Sequence, residues 1–258
     1  MIPTKPAFAG LFYPDEFLIP FHSRQTGSPK WTRFFYFHKL PMLVVMTAHK
    51  RQSYIIGIDE VGRGPLAGPV VVCAVAIPRS LRPSSILKHV PLRDSKKLTA
   101  LQRVAWTTSI ISDPRILHSI ASASPAIVDR INITQAANRS ATRALSSLLS
   151  SLPPFERPTT LHVYLDGGLH INAIAIFDPH LILRVETIIK GDETIPAISL
   201  ASIVAKQHRD ALMRRAHKKY PLYGFDRHAG YGTKKHIGAI RENGHSPLHR
   251  KSFLKKFS

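Results

Sequence analysis

The stretch Tyr54-Ile55-Ile56-Gly57-Ile58-Asp59-Glu60-Val61-Gly62-Arg63-Gly64-Pro65-Leu66-Ala67-Gly68-Pro69-Val70-Val71 decides the fold. It begins with a short apolar run, residues 54–59, that ends in acid, as a buried strand does. A Gly-rich turn over 61–68 follows, and 70–77, rich in Val and Ala, reads as a second strand. Outward from this pair, 116–123 reads as a third strand, 161–165 as a fourth that stops at Asp166, and 181–189 as a fifth. Helical spacing covers 98–111, with Thr99 as N-cap. It also covers 132–149, where Ile133, Ala136, Ala137, Ala141, Ala144, Leu145 and Leu148 share one face, and Pro153 and Pro154 stop it. Residues 198–217 read as a further helix with Ile203, Val204, Leu212 and Met213 inward. Residues 234–242 form a last helix closed by Asn243-Gly244. Strands interleaved with helices predict an α/β layer fold. Tight connections between the first three strands predict an antiparallel meander before the crossovers begin.

The chain has 258 residues, enough to bury a sizeable core without staples. Its single cysteine, Cys73, excludes a disulfide framework and a Cys-based zinc module, and it fits a reducing, cytoplasmic compartment. No run of 18 apolar residues exists, so no membrane span is expected. Lys and Arg number 36 against 16 Asp and Glu, a net charge of +20, which points to a polyanionic partner. Residues 206–258 concentrate that excess, with 14 Lys and Arg against Asp210, Asp226 and Glu242. Tyr220, Tyr223, Phe225 and Tyr231 are interleaved with them, and the concentration of charge favours reading this composition as a surface that holds phosphates and sugars together rather than as a solvated face above core aromatics.

With so few acids, their positions carry information. Asp59 and Glu60 stand where the first strand stops. Asp166 stands where the fourth stops, before Gly167-Gly168, and Asp192 follows Lys190-Gly191 after the fifth. Strand ends in α/β sheets line a shared crevice. Converging carboxylates repel one another unless a cation neutralises them, and hard oxygen ligands select Mg²⁺ or Mn²⁺. Two such ions about 4 Å apart can drive phosphodiester hydrolysis. Chain physics alone leaves open whether the four acids meet, since a strand-end Asp is often only a turn residue. Gly62-Arg63-Gly64 lacks the spacing of a nucleoside-triphosphate P-loop. Its glycines still allow close backbone approach to a ligand, and Arg63 can grip a phosphate.

The run from Gly57 to Val71 resembles the opening signature of bacterial ribonuclease HII. Further matches come in order: Asp94-Ser95-Lys96-Lys97-Leu98, Leu165-Asp166-Gly167, Lys190-Gly191-Asp192, and Ala201-Ser202-Ile203-Val204-Ala205-Lys206 with Arg209-Asp210. Tyr220-Pro221, Gly230-Tyr231-Gly232-Thr233-Lys234 and Ser246-Pro247-Leu248-His249-Arg250-Lys251-Ser252-Phe253 complete a similarity over about residues 54 to 253. The resemblance implies a ribonuclease H-like fold, a mixed five-stranded sheet flanked by helices, with a basic helical C-terminal segment. It implies Asp59, Glu60, Asp166 and Asp192 as catalytic acids holding two divalent cations, Mg²⁺ or Mn²⁺. It implies RNA–DNA hybrid and ribonucleotide-containing duplex DNA as substrates, cut 5′ of the ribonucleotide to leave a 3′-hydroxyl and a 5′-phosphate, in ribonucleotide excision during DNA replication and repair. Gly62, Arg63, Gly64 and Tyr231 match residues that recognise the ribonucleotide and its junction with DNA. Ser95, Lys96 and Lys206 are expected beside the nucleic acid, and the expected state is a monomer.

Some features depart from the family pattern. Here 58 residues precede Asp59, more than is usual, and Gln207-His208 interrupt a helix stretch that is usually more apolar. The first 50 residues hold 10 of the 21 aromatics and are broken by Pro3, Pro6, Pro14, Pro20, Pro29 and Pro41. Residues 1–50 are therefore read as an extension without its own core, with translation from Met42 or Met46 as the alternative, and 51–258 as the catalytic domain. Three rival readings differ from this one. A transposase or resolvase lacks the Gly-Arg-Gly and Tyr231 motifs, a ribonuclease HIII carries a different Gly-rich sequence, and a hybrid-binding protein needs no intact acids.

Overall fold

Alternation of side chains across a strand decides what the sheet can bury. In a computed structural model that describes residues 53–152, 160–172, 176 and 181–255, the opening stretch folds as β1 (Tyr54–Val61) and β2 (Val70–Pro78). They pair antiparallel, Ile58 opposite Ala74, and β3 (Leu117–Ala123) pairs antiparallel to β2. β4 (Thr160–Asp166) then joins β1 in parallel, and β5 (Ile182–Ile188) joins β4 in parallel. The sheet order is β3-β2-β1-β4-β5, so the expected antiparallel order of the first three strands and the crossovers form, but only β1 and β2 are tightly connected, since α1 (Ala100–Ser112) lies between β2 and β3.

Helices cover both faces. α1 (Ala100–Ser112) starts at Thr99, whose side chain and that of Gln102 cap each other's backbone N–H groups. α2 (Pro125–Ile131) and α3 (Ile133–Ser151) meet at Asn132, a non-glycine residue with φ of 63° that caps α3 through its side chain. After β5 come α4 (Gly191–Thr194), α5 (Pro196–Lys219), α6 (Phe225–His228), α7 (Lys234–Asn243) and α8 (Lys251–Leu254). Tyr54, Ile56 and Ile58 of β1 pack with Ala136, Ala141, Leu145 and Leu148 of α3 on one face. Val71, Cys73 and Val75 of β2 pack with Trp106 of α1 and Ala197, Leu200 and Val204 of α5 on the other.

The sequence missed α2, a seven-residue helix pressed against the longer α3, and the single-turn helices α4, α6 and α8. The expected extension over 1–50, with its alternative starts, and the helix stop at Pro153 and Pro154 lie outside the described residues. Residues Thr47–Ser258 group as one unit. Among the described residues no helix is long and apolar enough to cross a membrane.

Candidate active site

β1 and β4 run parallel as neighbours, with Ile58 opposite Leu165, so Asp59 and Asp166 stand one step further along at the same sheet end. Leu161, Val163 and Leu165 face the α3 side, which by the period of two turns Asp166 to the α5 side, where Asp59 also points. Glu60, the next residue, faces the opposite way. Asp192 reaches the same end on α4, after Lys190 turns the chain at φ 55°. The Asp166 carboxylate accepts the Gly191 N–H at 2.7 Å, tying β4 to the start of that helix.

Two close approaches put α5 behind the acids. A Cβ on Gly57 would collide with the backbone of Ala197 and Ile198, so only glycine lets the start of α5 rest on β1. Ser199 then donates to the Asp192 carbonyl at 2.6 Å, and the Ser202 hydroxyl lies beside the Asp59 side chain, where it favours the charged carboxylate. The Ser202 and Ser95 hydroxyls are 2.9 Å apart. Asp59 also accepts the Glu60 N–H at 2.7 Å.

The acids share one electrostatic environment. Burial pushes Asp59, 5% exposed, well above the usual carboxylate range, and the charges of Glu60 and Asp166 add to the rise. Burial pushes Glu60 up to about 7 even though Arg63, 3.3 Å away, pulls it down. Asp192 is raised by burial first, then by Asp166 and Asp94, while Lys96 opposes the rise. One Glu60 oxygen, Oε2, is buried with no hydrogen-bond partner. Among the described residues, no three His, Cys, Asp or Glu side chains close on one point as a finished chelate. An orphaned, desolvated carboxylate oxygen among crowded acids nevertheless suits a hard cation.

The remaining predicted residues divide. Gly62, at φ 93°, must be glycine, since a Cβ there would strike the Arg209 side chain. Arg63 is half-buried between Glu60 and Thr134 and borders Gly168. The Tyr231 ring lies against Gly64, with its Cε1 3.9 Å from where a Cβ would stand, and Tyr231 is 45% exposed. Lys96 is exposed. Ser95, expected beside nucleic acid, is instead buried, its hydroxyl turned to Ser202 behind Asp59. The Lys206 ammonium donates to Asp210 at 2.7 Å. Of the interleaved aromatics, Tyr223 and Phe225 are core residues, with Tyr220 packed against them, so the sugar-contact reading fails for these three. Arg209 and Arg250, counted with the basic face, are fully buried.

Sequence reasoning missed Ser199 and Ser202 as supports of the acids. Their signal was spacing: Ser199, Ser202, Lys206 and Arg209 recur every three or four residues, a polar stripe that begins in an otherwise apolar part of α5, residues 199–205.

Known proteins are similar to this chain in sequence and in fold. The family model for Ribonuclease HII matches residues 56–256. Ribonuclease HII of Chlamydia pneumoniae is 42% identical over 202 residues, 78% of this chain and 83% of the relative. Ribonuclease H2 of Pyrococcus horikoshii OT3 superposes with a TM-score of 0.59 at 24% identity, covering 79% of this chain and 96% of that one. Bst-RNase HIII, solved in complex with Mn²⁺, has a TM-score of 0.59 at 21% identity and covers 82% of this chain and 71% of that one.

Proposed function

The chain belongs to the ribonuclease HII family, divalent-metal-dependent endonucleases that cut the RNA of RNA–DNA hybrids to leave 5′-phosphates, and we propose that it also cuts 5′ of single ribonucleotides embedded in duplex DNA. In this reading Asp59, Glu60, Asp166 and Asp192 hold two divalent ions. The single observation that carries it is the gathering of these acids at one sheet end, with a buried Glu60 oxygen left without a partner. When bound, the ions supply an activated water and neutralise the leaving 3′-oxygen.

The protein's own groups do the rest. The Glu60 N–H holds the Asp59 carboxylate in place, with Ser202 beside it, and the Gly191 N–H does the same for Asp166. Arg63, held by Glu60 and Thr134, keeps Glu60 aimed and presents the exposed part of its guanidinium to the phosphodiester. Tyr231 and Gly64 form one exposed surface on which a sugar can rest, where the 2′-hydroxyl is the group that distinguishes RNA from DNA. Exposed Lys and Arg residues of the C-terminal segment supply affinity without sequence information, and salt weakens it. Residues 51–258 constitute the catalytic domain in this reading, working as a monomer.

The test is cleavage of a duplex carrying one ribonucleotide, with Mg²⁺, with Mn²⁺ and with chelator, and with both product ends mapped. Metal-dependent incision on the 5′ side, with a 3′-hydroxyl and a 5′-phosphate, is the expected result. Cleavage of continuous hybrid alone would restrict the protein to the coarser activity.

A further inference from the structure

The segment from Ser246 to Phe253 is distinctive in the sequence yet contributes nothing to the carboxylate chemistry. We propose that it is a positioning clamp, in which Arg250 directly and His249 through His236 hold Gly62-Arg63-Gly64 and Tyr231 in mutual register for reading the ribonucleotide. The proposal deepens the embedded-ribonucleotide reading and rests on it.

Arg250 is fully buried, and its side-chain hydrogen bonds all go to main-chain carbonyls of the Gly-rich turn. It donates to Gly62 at 2.6 Å, to Arg63 at 2.8 Å, and twice to Gly68 at 2.9 and 3.0 Å. The backbone adds Arg250 N–H to Leu66 and Gly68 N–H to Leu248, both at 2.8 Å. Arg209 braces the same turn from α5, donating to Ala67, Pro69 and Ala229. Burying a guanidinium without a carboxylate is costly, and here the guanidinium fixes the main chain at Gly62 and Arg63, next to the exposed Gly64, where the turn has no buried side chain to hold it. The fork geometry matters, because a lysine could satisfy only part of this set.

The histidines extend the clamp in one direction. The Ser246 N–H donates to His249 Nδ1 at 2.9 Å, so the His249 proton sits on Nε2. That proton goes to His236 Nε2, 3.0 Å away, which leaves the His236 proton on Nδ1. His236 Nδ1 then donates to the Tyr231 carbonyl at 2.8 Å. The Leu66 N–H meets the Gly230 carbonyl at 2.9 Å and closes the circuit to the turn. From outside, Asp129 of α2 accepts the N–H groups of Lys251 and Ser252 at 2.9 Å, fixing the residue next to Arg250. The clamped residues, Gly64 and Tyr231, are exposed and gain little from packing, so their relative position depends on these bonds.

The experiment compares the full-length protein with Arg250→Lys, His236→Ala and His236→Asn. It measures amide hydrogen exchange, melting temperature, and kcat/KM on a one-ribonucleotide duplex and on a continuous hybrid. The clamp predicts at least about tenfold faster exchange across 62–68 and 230–233 in Arg250→Lys and His236→Ala, with β1 and β2 unchanged. It predicts a loss on the one-ribonucleotide duplex at least about tenfold larger than on the hybrid, equivalent to about 1.4 kcal/mol. His236→Asn, which keeps a donor for the Tyr231 carbonyl, should recover part of both. Unchanged exchange in these segments, or equal losses on both substrates with a lower melting temperature, would overturn the proposal. If Arg250→Lys does not fold, Asp129→Asn loosens the clasp from the surface and should give the same pattern in weaker form. A wild-type protein that fails on the one-ribonucleotide duplex would refute the underlying reading, while the exchange pattern would still decide the clamp.

Discussion

The Asp166 carboxylate accepts the backbone N–H of Gly191 at 2.7 Å, so the acid at the end of β4 is fastened to the helix that carries Asp192. A side chain at 191 has little room. A Cβ there would lie 2.5 Å from Ile198 Cδ1, 3.3 Å from Ile188 Cβ and 3.4 Å from Asp166 Oδ1. Gly191→Ala should therefore push Asp166 and α4 apart. The expected cost is about 1–3 kcal/mol of stability from overpacking and a loss of about tenfold or more in kcat. Urea unfolding and single-turnover cleavage check the two together. An unchanged kcat would show that this bond does not set the acids' geometry.

The raised carboxylates give a pH dependence with a definite sign. The Glu60 value rises from an ordinary 4.5 to about 7, so between these pH values the folded state binds more protons than the unfolded one. Stability of the metal-free protein contributed at this site then falls as pH rises through that window. His249 acts oppositely: burial first, then His236, lowers it to about 4, so its contribution is lost as pH falls from 6.5 towards 4. The increment given by Mn²⁺ isolates the acid site. Melting temperature with and without Mn²⁺ should differ little at pH 5.5 and by several degrees at pH 8, at about 2–4 °C per kcal/mol. An increment that is equal at the two pH values would contradict the placement of the ions on these acids.

Tyr231 is too exposed to serve as packing, and its ring faces Gly64. Tyr231→Ala should leave stability within about 0.5 kcal/mol, as surface changes do. It should reduce cleavage of the one-ribonucleotide duplex far more than cleavage of continuous hybrid, where many registers are productive. Tyr231→Phe separates the hydroxyl from the ring. Parallel losses on both substrates would remove the sensing role.

The sheet was legible because β1 and β2 are short apolar runs with a Gly-rich turn between them, and the acids were legible because Asp59, Glu60 and Asp166 stand at strand ends and Asp192 follows the fifth strand closely. What escaped was the polar interior. Arg209 and Arg250 look like any other basic residues in a segment of 14, and only the structure shows both buried on carbonyl oxygens. Ser95 and Ser202 are far apart in sequence, and their meeting depends on α5 resting on Gly57. Tyr223 and Phe225 alternate with surface charges yet belong to a small core with Met213, because the single turns around them have no periodicity to read. α2 is hidden by Asn132, where the chain turns without a glycine or proline to mark it.

Asp59 is the acid buried deepest, and its carboxylate accepts the Glu60 backbone N–H. The decisive measurement is Asp59→Asn, assayed for cleavage and for binding of a one-ribonucleotide duplex in the same buffer with Mn²⁺. Loss of rate on the order of 10³-fold, about 4 kcal/mol of barrier, with affinity kept within a few-fold, is the predicted result. Turnover like that of the wild type would contradict it, and so would a loss of affinity as large as the loss of rate.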